Sequence, residues 1–278
     1  MKIVFFGTPT YVIPVLAELN KFHKVVMVVT QPPKPSGRDK KITFAPVDDW
    51  AHKRRIPKTA SFDDIPEADL GIVAAYGKLI PEPVINKFKY GILNIHPSLL
   101  PKYRGASPVQ SAIAAGETQT GLTVIKMDRE MDHGPIVSQF KESIGPDDTT
   151  QTLRDRLFER SAEFLIELIP NYISEKVKSK DQNHKEATFT KTIKKDDGYL
   201  DMTKKDDADK ERFIRAMSPW PGAWTYVQIE DKKLRLKLNK GHLEDGKLIL
   251  DEVQLEGKKP VKWEQFRSAY GSKFSPTS

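Results

Sequence analysis

Residues 1–30, MKIVFFGTPTYVIPVLAELNKFHKVVMVVT, hold two short apolar runs with an amphipathic stretch between them. Lys2–Phe6 is apolar from Ile3 onward and is ended by Gly7-Thr8-Pro9, as expected of a parallel strand buried on both faces. Val12, Val15, Leu16 and Leu19 then share one face of a helix, and Val25–Val29 forms a second buried strand. Strand, helix and strand in so short a span make a βαβ unit, whose crossover is right-handed. The turn Gly7-Thr8-Pro9 lacks the second and third glycines of GxGxxG, so it does not read as a dinucleotide site.

Working outward, Leu70–Tyr76 and Tyr90–His96 are further apolar runs of strand length. They extend the opening unit into an α/β domain, a Rossmann-like mostly parallel sheet with helices on both faces. Between the opening unit and Leu70 lies 31–41, QPPKPSGRDKK, a Pro-rich basic segment predicted as a long exposed loop that cannot join a sheet. It reads either as a solvated connection or as a basic finger for phosphate. Helices are predicted over 46–55 and 109–115, and strands over 122–126 and 135–140. Asp147-Asp148-Thr149-Thr150 supplies N-cap chemistry for a long helix bearing Leu153, Leu157, Leu165, Leu168 and Ile169. Pro170 is expected to kink or shorten that helix. From Glu175 to Asp206 Lys and Asp dominate, as in a linker. Alternation at 225–229 and 233–238, with further strands at 247–250 and near Val261, predicts a small OB-like β-barrel. The expected organisation is a catalytic domain over 1–174, a linker over 175–206 and a C-terminal domain over 207–278.

The chain has 278 residues, 38 % of them hydrophobic and 30 % charged, enough apolar material for a core and too much for wholesale disorder. No apolar run is long enough for a membrane span, and the N-terminal run breaks too soon for a secretory signal. Cysteine is absent, which removes disulfides, thiolate metal sites and cysteine nucleophiles. A cytoplasmic protein with no membrane partner is expected. The net charge of +7 favours a polyanionic partner without demanding one.

The densest chemistry is in 94–108, NIHPSLLPKYRGASP. Asn94 and His96, two apart on a strand, point to one face, and they sit where the strand ends, beyond which open α/β sheets bind ligands. An amide donor beside an imidazole suits acyl transfer, the amide for an oxyanion and the imidazole for the proton. The same pair also occurs as satisfied structural polar groups. Trp220 and Trp224 read as a packing pair, and His23, His52, His184 and His242 as surface residues. His96, Asp132 and His133 have none of the spacing of a metal site.

The motif Asn-x-His-Pro-Ser-Leu-Leu-Pro-x-Tyr-Arg-Gly resembles the central motif of the folate-dependent formyltransferases. Gly7-Thr8-Pro9 with Pro14-Val15-Leu16 is similar to that family's first turn and helix, and 31–41 to its inserted basic loop. Ala74–Pro81 resembles its folate-pocket segment and 127–134, MDREMDHG, its acidic catalytic loop. Pro219–Ala223 and Glu256–Pro260 resemble landmarks of its second half. The resemblance implies a catalytic triad of Asn94, His96 and Asp132, with Asp128 as the alternative acid. It implies 10-formyltetrahydrofolate as co-substrate and no metal. The donor would be lined by Ser98, Leu99, Leu100 and Pro101 and held by the backbone of Tyr76, Gly77, Lys78 and Leu79. The implied acceptor is the amino group of initiator methionyl-tRNA, gripped by Arg38, Lys40 and Lys41, with the chain acting as a monomer. An amino-sugar nucleotide is the competing acceptor; water, as in a hydrolase of the donor, is another. A pure RNA-binding protein is the reading from a different class, and the intact triad counts against it. His133 and Pro135 depart from the residues frequent at their positions, which loosens the assignment of the acceptor.

Overall fold

Ile3, Val4, Phe5 and Phe6 are all shut off from solvent, so the first apolar run is covered on both faces, as a parallel strand between two layers must be. In the computed structural model, which describes residues 1–36, 39, 41–271 and 274–276, this run is β1 (Lys2–Gly7). After a 3₁₀ turn, α1 (Ile13–Phe22) buries Val15, Leu16 and Leu19. β2 (Lys24–Val29) then returns parallel to β1, with Phe5 opposite Val28. The chain continues through β3 (Lys34–Ser36), β4 (Lys41–Thr43), α2 (Pro46–Lys53), β5 (Lys58–Thr59), β6 (Leu70–Ala74), α3 (Glu82–Ile85), β7 (Ile92–His96), β8 (Arg104–Gly105), α4 (Pro108–Ala114), β9 (Gln119–Lys126), β10 (Ile136–Ser143) and α5 (Thr150–Ile173).

Seven strands form one sheet in the order β10-β9-β7-β6-β1-β2-β5. The ladders joining β7, β6, β1, β2 and β5 are parallel, and β9 runs antiparallel to β7. The sheet is Rossmann-like and mostly parallel, as expected. From β1 the chain winds outward to β2 and β5, then returns to the other side of β1 for β6 and β7. The order therefore reverses at the carboxyl ends of β1 and β6, where a ligand crevice opens in such sheets. On one face of the sheet Val4, Phe6, Val29, Val73, Tyr76 and Ile92 share a single core.

Two expectations are corrected here. The basic segment does pair: β3 and β4 form a separate antiparallel ribbon with Pro35 opposite Ile42. A two-stranded ribbon leaves one side of each strand without a partner, which is where a proline lacking an N–H is tolerated. Helix α5 also runs three residues past Pro170. Asn171 Nδ2 donates to the Glu167 carbonyl and Ser174 N to the Pro170 carbonyl, side-chain and backbone bonds that hold the last turn despite the proline.

The chain divides into two compact units. One comprises residues 1–106, 120–142 and 154–190, and the other 107–119, 143–153 and 191–278. The stretch read as a linker carries regular structure. A 3₁₀ turn at His184–Glu186 precedes β11 (Phe189–Thr190), which pairs with β8, and another turn lies at Lys195–Gly198. The second unit adds α6 (Asp207–Met217), β12 (Ala223–Ile229), β13 (Lys232–Glu244), β14 (Lys247–Leu255), β15 (Val261–Lys262), α7 (Trp263–Tyr270) and β16 (Phe274–Pro276). Asp206 caps α6 by accepting from Asp209 N at 2.7 Å. The strands form one antiparallel sheet of order β15-β14-β13-β12-β16. Among the described residues no ladder joins its edges β15 and β16. Val227, Leu236, Leu238 and Val253 pack with Ile214 and Met217 of α6 and Phe266 of α7. Trp220 and Trp224 do not pair. Trp220 is 55 % exposed, whereas Trp224 is buried beside Tyr199 and Tyr226 with the Arg235 guanidinium 3.9 Å from its ring centre. No helix among the described residues is long and apolar enough to cross a membrane.

Candidate active site

β7 delivers Asn94 and His96 to one face at its carboxyl end, and the loop after β9 brings Asp132 to meet them. Asn94 Nδ2 donates to Asp132 Oδ1 at 3.0 Å, and Gly105 N donates to Asp132 Oδ2 at 2.8 Å. His96 is 4 % exposed, with Nδ1 3.5 Å from Asp132 Oδ2 and Nε2 2.9 Å from the Tyr103 carbonyl oxygen. A carbonyl only accepts, so Nε2 carries a proton. Any proton on Nδ1 faces the carboxylate. Asn94 keeps a second Nδ2 hydrogen beyond the one given to Asp132.

This arrangement is held in an unfavourable backbone conformation. Ala75 after β6, Tyr103 and Asp132 all have positive φ, at 46°, 60° and 50°. Each costs on the order of 1 kcal/mol, and such residues collect where the surroundings over-determine a functional geometry. Here those surroundings include two buried polar residues that sequence reasoning did not single out. Gln182 Nε2 donates to the carbonyls of Asp132 and Gly134 at 2.9 and 2.8 Å, while its Oε1 accepts from Arg104 Nε and Nη2 at 3.1 and 2.6 Å. Arg104 was visible inside the motif, but Gln182 lies in a charged stretch with no apolar period to mark it as buried.

Asp128 points elsewhere. Its Oδ2 is 2.7 Å from His133 Nδ1 and its Oδ1 accepts from Glu130 N. The His133 ring stacks on His184 at 4.0 Å, nearly parallel, and His184 Nδ1 lies 2.8 Å from Arg104 Nη2. Arginine only donates, so His184 Nδ1 accepts and its proton is on Nε2. His184 is thus an exposed residue with specific partners. His23 is only partly exposed, and burial holds its imidazole below the usual range.

The residues expected around the donor occupy two environments. Gly77, Lys78 and Leu79 are exposed beyond β6, and Leu79 presents a large apolar side chain at 70 % exposure. Tyr76 turns into the core against Phe6 and Phe62, burial pushes its phenol above the usual range, and its carbonyl accepts from Thr8 Oγ1 and Gln31 Nε2. Ser98 is fully buried, with its hydroxyl donating to the Lys102 carbonyl and its own carbonyl accepting from Thr123 Oγ1. Leu100 is buried as well, Leu99 and Pro101 are partly exposed, and the Leu100–Pro101 peptide is cis. Lys41 is exposed at the start of β4. Arg38 and Lys40 lie outside the described residues.

An amide, an imidazole and a carboxylate thus meet at the carboxyl end of β7, groups able to serve an oxyanion and move a proton, and comparison with known proteins gives the class. The family described as formyl transferase matches residues 1–169, and the formyl transferase C-terminal domain matches residues 192–246. Methionyl-tRNA formyltransferase of Thermus thermophilus is 35 % identical over 299 residues, covering 98 % of this chain and 97 % of that protein. The enzyme of the same name from Chloroflexus aggregans is 40 % identical over 237 residues, covering 81 % of this chain and 76 % of that one. Among solved structures, an N-formyltransferase from Helicobacter canadensis in complex with folinic acid and dTDP-3-aminofucose superposes with a TM-score of 0.67 at 17 % identity, covering 94 % and 98 % of the two chains. Methionyl-tRNA formyltransferase from Clostridium thermocellum does so at 0.61 and 19 %, covering 92 % and 98 %. Likeness at those identities concerns the fold alone. The chain belongs to the formyl transferase family.

Proposed function

We propose that the protein moves the formyl group of 10-formyltetrahydrofolate to the amino group of initiator methionyl-tRNA, in the cytoplasm. The observation that carries this reading is the joined Asn94–Asp132–His96 cluster at the end of β7, in a chain whose near full-length relatives bear that activity in their names. The donor fits the residues present. Gly77–Leu79 is exposed and includes the apolar Leu79, while Ser98 and Leu100 are buried with their polar groups already partnered.

The amine nitrogen attacks the formyl carbon, the new C–N bond forms, and the bond to the folate nitrogen breaks. The second Nδ2 hydrogen of Asn94 serves the oxygen on which charge develops. His96, once it exchanges the Tyr103 carbonyl for the substrate, gives its Nε2 proton to the departing nitrogen and then takes a proton back from the attacking amine nitrogen, Nδ1–H staying on Asp132. Asp132 fixes the ring and stabilises its charged form during that transfer. The basic ribbon bearing Lys41, with Arg38 and Lys40 in the same segment, supplies cations for the acceptor's phosphates.

The test is formyl transfer from the labelled donor, with charged initiator methionyl-tRNA and a dTDP-amino sugar as competing acceptors. Formyl-methionyl-tRNA should accumulate and the sugar should not. His96→Ala should lower kcat by roughly 10²- to 10⁴-fold, the usual contribution of a positioned proton carrier. Turnover of the sugar alone would overturn the acceptor, and undiminished activity in His96→Ala would overturn the mechanism.

A further inference from the structure

We infer that Gln182, from the stretch between the two family-matching segments, is a positioning residue that holds the Asp132 loop in register with His96; this rests on the formyl-transfer reading of the site. The residue is 5 % exposed, and its carboxamide uses its full bonding capacity. Two hydrogens go to the Asp132 and Gly134 carbonyls, and two Arg104 N–H groups come to its oxygen. A neutral amide is the side chain that donates twice and accepts twice at this reach.

What it joins gives the contact its consequence. One side is the loop in which Asp132 sits at φ 50° and in which a Cβ on Gly134 would collide with the Lys126 carbonyl. The other side is Arg104, flanked by the two backbone groups that touch the triad. The Tyr103 carbonyl receives His96 Nε2, and Gly105 N donates to Asp132 Oδ2. The amide therefore fastens the backbone carrying the carboxylate to the backbone bearing on the imidazole. Gly105 N and Asn94 orient the carboxylate tip, but Gln182 orients the chain behind it. Without it, two carbonyls and a buried guanidinium lose partners together, and the loop relaxes. A displacement of about 1 Å at a reacting group costs roughly 100-fold in rate.

Gln182→Glu separates this role from mere satisfaction of Arg104. Beside the guanidinium the new carboxyl stays ionised, so Arg104 remains paired, but both donors to the loop carbonyls are replaced by a repelling oxygen. Both Gln182→Glu and Gln182→Ala should lower kcat roughly 30- to 100-fold with KM for donor and acceptor changed less than about threefold. In the free protein the ¹⁵N resonances of the His96 ring should move in both variants, while those of His52 stay in place. Wild-type kcat in Gln182→Glu would overturn the proposal, showing that the residue only serves Arg104. Unmoved His96 resonances in the folded variants would also overturn it. If the wild type does not formylate methionyl-tRNA, the acceptor reading fails, and the resonance comparison still decides the role of Gln182 because it needs no acceptor.

Discussion

Asp132 gives each carboxylate oxygen a different donor, Asn94 to Oδ1 and Gly105 N to Oδ2. An asparagine there has one acceptor oxygen, so in either orientation its NH₂ opposes a donor. Asp132→Asn should therefore keep the loop's backbone bonds to Gln182 but lose kcat by roughly 10²- to 10⁴-fold. Donor binding should stay nearly unchanged, as followed by folate titration beside steady-state rates. At this scale the sequence was informative where chemistry and periodicity coincide. Asn94 and His96 were legible because a two-residue spacing at a strand end puts them on one face. Asp132 was separable from Asp128 only through the resemblance, and the structure places Asp132, not Asp128, against Asn94. Gln182 was illegible because its burial comes from pairing with residues 78 and 50 positions away, which no local pattern records.

Among the elements, the long apolar runs of the sheet were readable and the short or interrupted pieces were not. β8 and β11 are two residues each and exist through mutual pairing. α7 starts directly after β15, the strand read near Val261, with no helix expected there. Pro170 shows how context overrides a breaker. It removes the N–H that would reach the Ile166 carbonyl, yet α5 continues to Ile173. Replacing this exposed proline by alanine restores that bond. An interior proline costs about 3 kcal/mol in a helix, whereas the lost rigidity of the unfolded chain returns at most about 1 kcal/mol. Pro170→Ala should thus stabilise the protein by about 1–2 kcal/mol, measured as a shift in the urea midpoint at constant slope. A destabilised variant would mean that the last turn is shaped to the proline.

For the molecule as a whole, the predicted boundaries follow the sequence, but the compact units do not. Segments 107–119 and 143–153 group with the C-terminal strands, and 175–190 with the N-terminal sheet. A composition shift marks where a chain changes character, not where it packs, so this interleaving was beyond a linear reading. In the second unit, Asp201 accepts from the Thr203 hydroxyl and backbone N–H and pairs with Lys204, which holds its carboxyl at about 2 instead of 3.8. The folded state favours the ionised form, so this contribution is complete above about pH 5, fades as pH falls through 3.8 and then about 2, and is gone near pH 1. Exposure and salt keep it small. Asp201→Asn should lower the denaturant midpoint at pH 7, with the difference shrinking steadily below about pH 5 and vanishing near pH 1. A difference of constant size across that range would show that the carboxylate charge is not its source.

The span from Gln182 to Thr190 is fastened at both ends. Gln182 is tied to the Asp132 loop, while the Thr188 carbonyl and hydroxyl accept from Arg104 N and Tyr103 N and the Thr190 hydroxyl donates to the Arg104 carbonyl. Its length is therefore set by two anchorages on the same short stretch of the motif. Residues added between Ile173 and Lys180 leave both anchorages untouched, but residues removed between Gln182 and Thr188 force one anchor to let go. The charged segment that looks the freest to vary is, over these nine positions, a fixed measure of chain.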